Sequence, residues 1–478
     1  MSSRNSGSRY PERDRSRSGR YSTTTRRKIS SNAHAQRYRN SKAGITIVVF
    51  IIIVVLGTSL YAYFNWDTIV SLANTFKGEV IVTASPVPTS MPTPTPTLSG
   101  TATPDPTVSP DPQPTTTPRP EVIQFTISVV GDLSFYNSQI VDAYDSNTDN
   151  YDFSHNFTEI SSYIQSADLA IAGFNSAAAG SALGYSGDPA SFNVPESALD
   201  AMADAGFDVL CTANESVFHQ GWAGLQFTTN FIREAGMMST GTYLSEGEYY
   251  KPLIVNIEGV KIAILNYADE DIIDAIKPRV TTSQMSYAIK ELKMSSVLRD
   301  IDLCHESDAD IIIAYVSWGS IGNMSPSDHA KTYAQAMMEA GVDAIFGTYP
   351  QVMQKITRKT VKRDDSSSAD CVVAYSLGSF LTAQRSTYYD SGVILNLTYE
   401  HNSTTDVVTL IDVNYVPTWI SIEDTDTDDK NYTIIPVGKY LDDQDLFSQL
   451  NSTAQARLRS VWTETTSTLG ESMVTAVR

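Results

Sequence analysis

Several apolar runs in this 478-residue chain end in side chains able to do chemistry. FTISVV ends in Gly131-Asp132, and DVLCTANESVFHQG carries Asn214, Glu215 and His219 just past its apolar start. IIIAYVS delivers Ser317 and Trp318, and AIFG is followed by Thr348, Tyr349, Pro350 and Gln351. In α/β proteins, ligands are held just outside the carboxyl ends of strands. Two carboxylates and an imidazole drawn from different strand ends are donor types that converge on a divalent cation. The hydroxyls and amides offer neutral hydrogen bonds instead, and Trp318, Tyr349 and Gln351 could line a site for sugar or peptide. Each residue also has a plain structural role open to it. Asp132 would cap the next turn, Glu215 would face solvent, and His219 would be an ordinary hydrogen-bonded histidine. Trp318 and Tyr349 would pack in the core.

A basic cluster follows: Lys355, Arg358, Lys359, Lys362 and Arg363, within QKITRKTVKRDD. On an acidic body it is the candidate surface for a polyanion, with a solvated hairpin as the alternative. No nucleophile–histidine–acid arrangement or nucleotide fingerprint is present, and SAAAGSALG lacks the lysine of a phosphate-cradling loop. The three cysteines, Cys211, Cys304 and Cys371, show no metal-ligand spacing. Cys211 and Cys371 lie in apolar runs and are expected to be buried free thiols.

The elements that must position these residues read as an α/β core. IQFTISVVGD, ADLAIAGFN and ADIIIAYVSWG are strand-like runs. PLIVNIEGVKIAILNYA predicts a hairpin turning at Glu258-Gly259. Residues 201–210, AMADAGFDVL, are echoed by 336–345, AMMEAGVDAI. Each is a helix end, a glycine in the C′ position, an aspartate and a buried strand. Two similar halves are therefore expected, followed by a β-rich close in CVVAYSLGSF, VILNLTYE and DVVTLIDVNYVPTWI. EDTDTDDK lacks the spacing and glycine of a calcium-binding loop and reads as a solvated turn.

Charge divides the chain. Residues 1–43 carry twelve Lys/Arg against Glu12 and Asp14, whereas the whole chain is at −20. Ala43 to Phe64 holds no charged residue. At about 1.5 Å per residue these 22 residues match the roughly 30 Å hydrocarbon core. The basic flank predicts a cytoplasmic N-terminus and an extracellular remainder of a single-pass cell-membrane protein. The Arg/Ser-rich head resembles a nucleic-acid-binding tail only in composition; beside an anchor it is read as a topology signal that attracts anionic lipid, so no nucleic-acid partner is expected. Twelve of the 21 prolines fall in residues 86–120, which predicts an extended stalk. The expected divisions are a basic head (1–42), a transmembrane helix (43–64), a juxtamembrane segment and stalk (65–120), a globular α/β domain (121–440) and a helical tail (441–478).

Read in order, VVGDLSF, ADLAIAGFN, AGFDVLCTANESVFHQG, ADIIIAYVSWG, AGVDAIFGTYPQV and AYSLGSF resemble the bacterial capsule-synthesis CapA, or PGA-cap, family. The resemblance spans roughly residues 124–420. It implies a calcineurin-like metallophosphoesterase fold, an α/β sandwich. It also implies metal ligands at these strand ends: Gly-Asp, Asn-Leu/Phe-Glu, Ala-Asn-Asn-His with a later Asp, His-Trp-Gly and Gly-His-His-Pro-His. Asp132 and Asn214 are retained. Asn175 replaces the Glu, Glu215-Ser216 replaces Asn-His, and His219 stands for the later Asp. Ser317, Thr348, Tyr349 and Gln351 stand where histidines would be, and Ser379 replaces an Asn. Hydroxyls and amides are poor transition-metal ligands, so the resemblance implies a degenerate centre with no assigned metal or cofactor. A weak, rearranged divalent-metal site of Asp132, Glu215 and His219 is the alternative. The implied role is support of synthesis, retention or export of an anionic extracellular polymer, poly-γ-glutamate or a wall polymer, alongside capsule-synthesis membrane proteins. The competing expectations are an active metal-dependent hydrolase, a metal-free transferase, and a surface scaffold unrelated to capsule.

Overall fold

The computed structural model describes residues 122–424, 430–470 and 474–477. The predicted head, span and stalk lie outside the described residues, as does most of the Asp-rich loop. Among the described residues, no helix is long and apolar enough to cross a membrane.

The strands in chain order begin with β1 (Val122–Leu133), β2 (Tyr144–Asp145), β3 (Asn150–Tyr151), β4 (Leu169–Phe174), β5 (Val209–Cys211) and β6 (Met238–Thr240). Next come β7 (Leu253–Ile257), β8 (Val260–Ala268), β9 (Ile311–Ser317), β10 (Ala344–Thr348), β11 (Ile356–Lys362) and β12 (Ser368–Ala374). The last are β13 (Ser379–Leu381), β14 (Ser391–Asn402), β15 (Val407–Asp424), β16 (Lys430–Pro436) and β17 (Thr475–Ala476). One sheet runs β16-β15-β14-β1-β4-β5-β6, with β13 beside β1 and β17 beside β15. The other runs β11-β12-β10-β9-β8-β7. Strands β1, β4, β5 and β6 are parallel, as are β8, β9, β10 and β12. Their carboxyl ends therefore emerge together within each sheet.

The sheets stack face to face over a shared apolar layer. Ile127, Val129, Ile171 and Val209 of one sheet bury against Ile262, Ile264, Ile313 and Phe346 of the other. The opposite face of the first sheet carries Ala170, Ala172 and Leu210 under the helix Ser197–Ala205. That of the second carries Ala263, Ile312 and Ile345 under Met294–Glu306 and Asp328–Ala340. Strands covered on both faces read as continuous apolar runs, which is why IIIAYVS and LAIAGF show no alternation. The expected α/β sandwich is observed.

The echoed segments have a physical explanation. Helices Ser197–Ala205 and Asp328–Ala340 end at Gly206 and Gly341, with φ of 104° and 132°. Such backbone favours glycine. The aspartates that follow do one job throughout. Asp208 accepts the Ala170 N–H with its carboxylate and donates its own N–H to the Ala170 carbonyl. Asp343 does the same with Ile312, Asp168 with Thr126, and Asp310 with Lys261. Each aspartate thus locks the start of its strand to the neighbour already laid down. The Glu258-Gly259 turn is also as read, with φ of 52° and 96° between paired Ile257 and Val260.

The C-terminal residues belong to the same body. Helix Val437–Asp442 runs across the predicted boundary at 440, and Ser452–Leu469 buries Leu458 and Val461 against Trp419 and Ile435. Arg457 donates twice to the buried Asp390, at 2.7 and 3.1 Å.

Candidate functional site

The two sheets meet at one pole through their strand ends. Asp132, near the end of β1, pairs in register with Gly173 of β4 and Ser379 of β13, beside an irregularity in the β1–β4 ladder. Bulges of this kind re-aim side chains near functional sites. A side chain at Gly173 would collide with Asp132 Oδ1 and the Tyr315 hydroxyl. Only glycine lets those two groups approach. Asp132, 7% exposed, accepts a hydrogen bond from the Thr348 hydroxyl at the end of β10. Tyr315 donates its hydroxyl to the Val130 carbonyl at 3.1 Å. Asp132 therefore ties the first sheet to the second. Burial drives its pKa up to about 6, against the opposing pull of the Thr348 hydroxyl and the Tyr349 backbone N–H.

The other family positions, retained or substituted, are spent within the pole. Ser317 Oγ donates to the Ala213 carbonyl at 2.8 Å. Asn214 Nδ2 donates to the Phe174 carbonyl at 2.8 Å, and its Oδ1 accepts the Val217 N–H. Ser379 Oγ donates to the Gln351 carbonyl at 3.2 Å. Ser317, Asn214, Thr348 and Ser379 are all buried. Asn175, half-buried, donates its backbone N–H to the Leu133 carbonyl.

His219 stacks on Phe192 at 5.8 Å, and its Nδ1 accepts the Phe192 N–H at 3.1 Å. The neutral ring must then carry its proton on Nε2, which leaves no lone pair for a metal. Burial, then the Arg279 guanidinium, lowers its pKa to about 4 despite Asp188. Glu215 is half-buried at the start of the short helical turn Ser216–Phe218 and acts electrostatically on Tyr349. Among the described residues, no three His, Cys, Asp or Glu side chains form a group able to hold a metal. The residues present do not fit the two-metal centre implied by the resemblance.

Trp318 is 1% exposed, stacks on Tyr375 and donates its indole N–H to the Tyr375 carbonyl at 2.9 Å. It packs in the core and presents no face to a ligand. Tyr349 is half-buried at the pole. The basic cluster does not form one surface. Arg358 pairs with Asp370 and reaches the Leu410 carbonyl, whereas Lys359 turns to Gln335 on the helix Asp328–Ala340. Arg363 pairs with Asp343. Lys355 and Lys362 alone in the cluster are exposed. All three cysteines are buried free thiols.

Two site residues escaped the sequence reading. Gln384 donates to Gln351 Oε1 at 2.8 Å and to the Tyr136 hydroxyl at 3.0 Å. Both follow strands at this pole, β1 and β13, so the rule that picked out Thr348 would have found them.

A two-sheet α/β sandwich whose parallel strand ends build a polar pole defines the class of protein. The chain belongs to the bacterial capsule synthesis protein PGA_cap family, whose model matches residues 126–384. It is 28% identical over 224 residues to the capsule biosynthesis protein CapA of Bacillus anthracis, covering 45% of this chain and 50% of that protein. To the PGA biosynthesis protein CapA of Bacillus subtilis (strain 168) it is 25% identical over 193 residues, covering 39% and 45%. The chain thus spans about half the length of the curated relatives it matches. Among solved structures it is similar to the calcineurin-like phosphoesterase YfkN of Bacillus subtilis, at 13% identity and a TM-score of 0.39, over 71% of this chain and 100% of that one. That likeness is too slight to bear on function.

Proposed function

We propose that this chain is a membrane-anchored, extracellular capsule-biosynthesis protein that supports synthesis, retention or export of an anionic polymer of the poly-γ-glutamate type, without metal-dependent catalysis. The family supports the capsule-related role. The absence of metal catalysis rests on one observation: Asp132, the retained family carboxylate, is bonded to Thr348, at a position where the family places a histidine. A metal ligand has become half of a strut between sheets. The uncharged span 43–64, flanked by a basic head, supports the anchor. Exposed Lys355 and Lys362 are the cations of the cluster left to meet polymer carboxylates. The test is genetic. Cells lacking the chain are expected to lose surface-retained anionic polymer, and cells carrying Asp132→Ala to keep it. Polymer lost equally in both, with the Asp132→Ala chain folded and present at the parent's level, would restore a catalytic reading.

A further inference from the structure

Three uncharged side chains at the rim of the pole form a hydrogen-bonded row that the fold leaves incomplete. Gln384 Nε2 bridges Gln351 Oε1 and the Tyr136 hydroxyl, and all three residues are half-buried. Among the described residues, Gln384 Oε1, the Gln351 amide N–H groups and the Tyr136 O–H proton have no partner. Flipping both amides exchanges which glutamine offers the donor and which the acceptor, but one of each still faces out.

The row is held in place. Tyr349 and Gln351, at φ of 86° and 61°, occupy backbone that non-glycine residues rarely adopt. Such strain persists only where surrounding contacts enforce it, and it gathers at functional sites. Here the Ser379 hydroxyl fixes the Gln351 carbonyl, and the Gly322 N–H donates to the Pro350 carbonyl at 2.8 Å. Tyr136 donates its backbone N–H to Gln139 Oε1 at 2.8 Å and meets Phe192 edge-on at 5.5 Å.

We propose that this row is a subsite for the amide links of a γ-glutamyl chain, an inference that rests on the polymer reading above. A donor and an acceptor side by side match the carbonyl and N–H of an amide. The row itself carries no charge and Asp132 is buried, so the oligomer's carboxylates would point to solvent. Recognition of this kind depends little on ionic strength, unlike binding through exposed lysines, which salt screens.

The test is calorimetric titration of the full-length chain with a short γ-linked glutamate oligomer at about 50 and 500 mM salt. Gln384→Leu and Tyr136→Phe are each expected to weaken binding about fivefold to tenfold at both salt levels, with thermal midpoints near that of the parent chain. Unchanged affinity in both variants, or binding by the parent chain that vanishes at high salt, would remove the subsite and leave the polymer reading standing. A neutral glucan oligomer that binds in a Gln384-dependent way, where the γ-glutamyl oligomer does not, would make the row a glycan subsite and overturn the amide assignment. Failure of the parent chain to bind the γ-glutamyl oligomer by any route would overturn both.

Discussion

Burial shifts the pKa values of Asp132 and His219 in opposite directions, and the two shifts give stability opposite dependences on pH. Asp132 is raised from 3.8 to about 6, chiefly by burial. Between those values the folded chain keeps a proton that the unfolded chain has released, so stability falls as pH rises from about 4 to 6. The full effect is on the order of 3 kcal/mol. His219, lowered from 6.5 to about 4 by burial and Arg279, stays neutral where the unfolded chain gains a proton. It therefore costs stability as pH falls from about 6.5 to 4. Asp132→Asn keeps an acceptor for Thr348 and removes the first slope. Its Tm is expected to exceed the parent's at pH 7 and to drop on acidification. A parent-to-variant Tm difference that ignores pH would contradict the strut. Thr348→Val should cost about 1–3 kcal/mol, more at pH 7 than at pH 5, because it strands an ionised carboxylate. The family resemblance implies which positions differ from metal donors, but the sequence does not reveal what the residues there bond. The Ser317–Ala213 and Trp318–Tyr375 contacts join residues far apart in the chain, beyond the reach of local spacing.

At the scale of elements, the four aspartates that open strands give a separate handle. Asp208→Ala should lower stability by about 1–3 kcal/mol, read from the denaturant midpoint, and Asp208→Asn should recover much of it by keeping the acceptor. Equal losses in both would mean the carboxylate does more than lock β5 to β4. Much at this scale was legible. The Glu258-Gly259 hairpin, the helix–glycine–aspartate–strand echo and the apolar runs of β4, β9 and β10 all follow from local pattern. Sheet membership was not legible, because a run buried on both faces carries no mark of its neighbour. Nor does QKITRKTVKRDD reveal that its cations divide between Asp370, Gln335 and Asp343. Alternation along β11 sends adjacent side chains to opposite faces.

At the scale of the whole molecule, two parallel-stranded halves bring their strand ends to one pole, and direct hydrogen bonds stand where the family pattern places metal ligands. The anchored topology we propose predicts that protease added to intact cells cuts within residues 86–120 and spares 1–42. Digestion of the head from outside would reverse the orientation. The central claim is that Asp132 braces the two sheets instead of holding a metal, and metal content tests it most directly. The full-length chain, purified from cells grown with added manganese and zinc, should carry far less than one equivalent of zinc, manganese or iron per chain. Its Tm should barely respond to chelator, since a ligand stabilises only the state that binds it. Two tightly held metals per chain, as in two-metal hydrolases, lost on Asp132→Ala, would contradict the account.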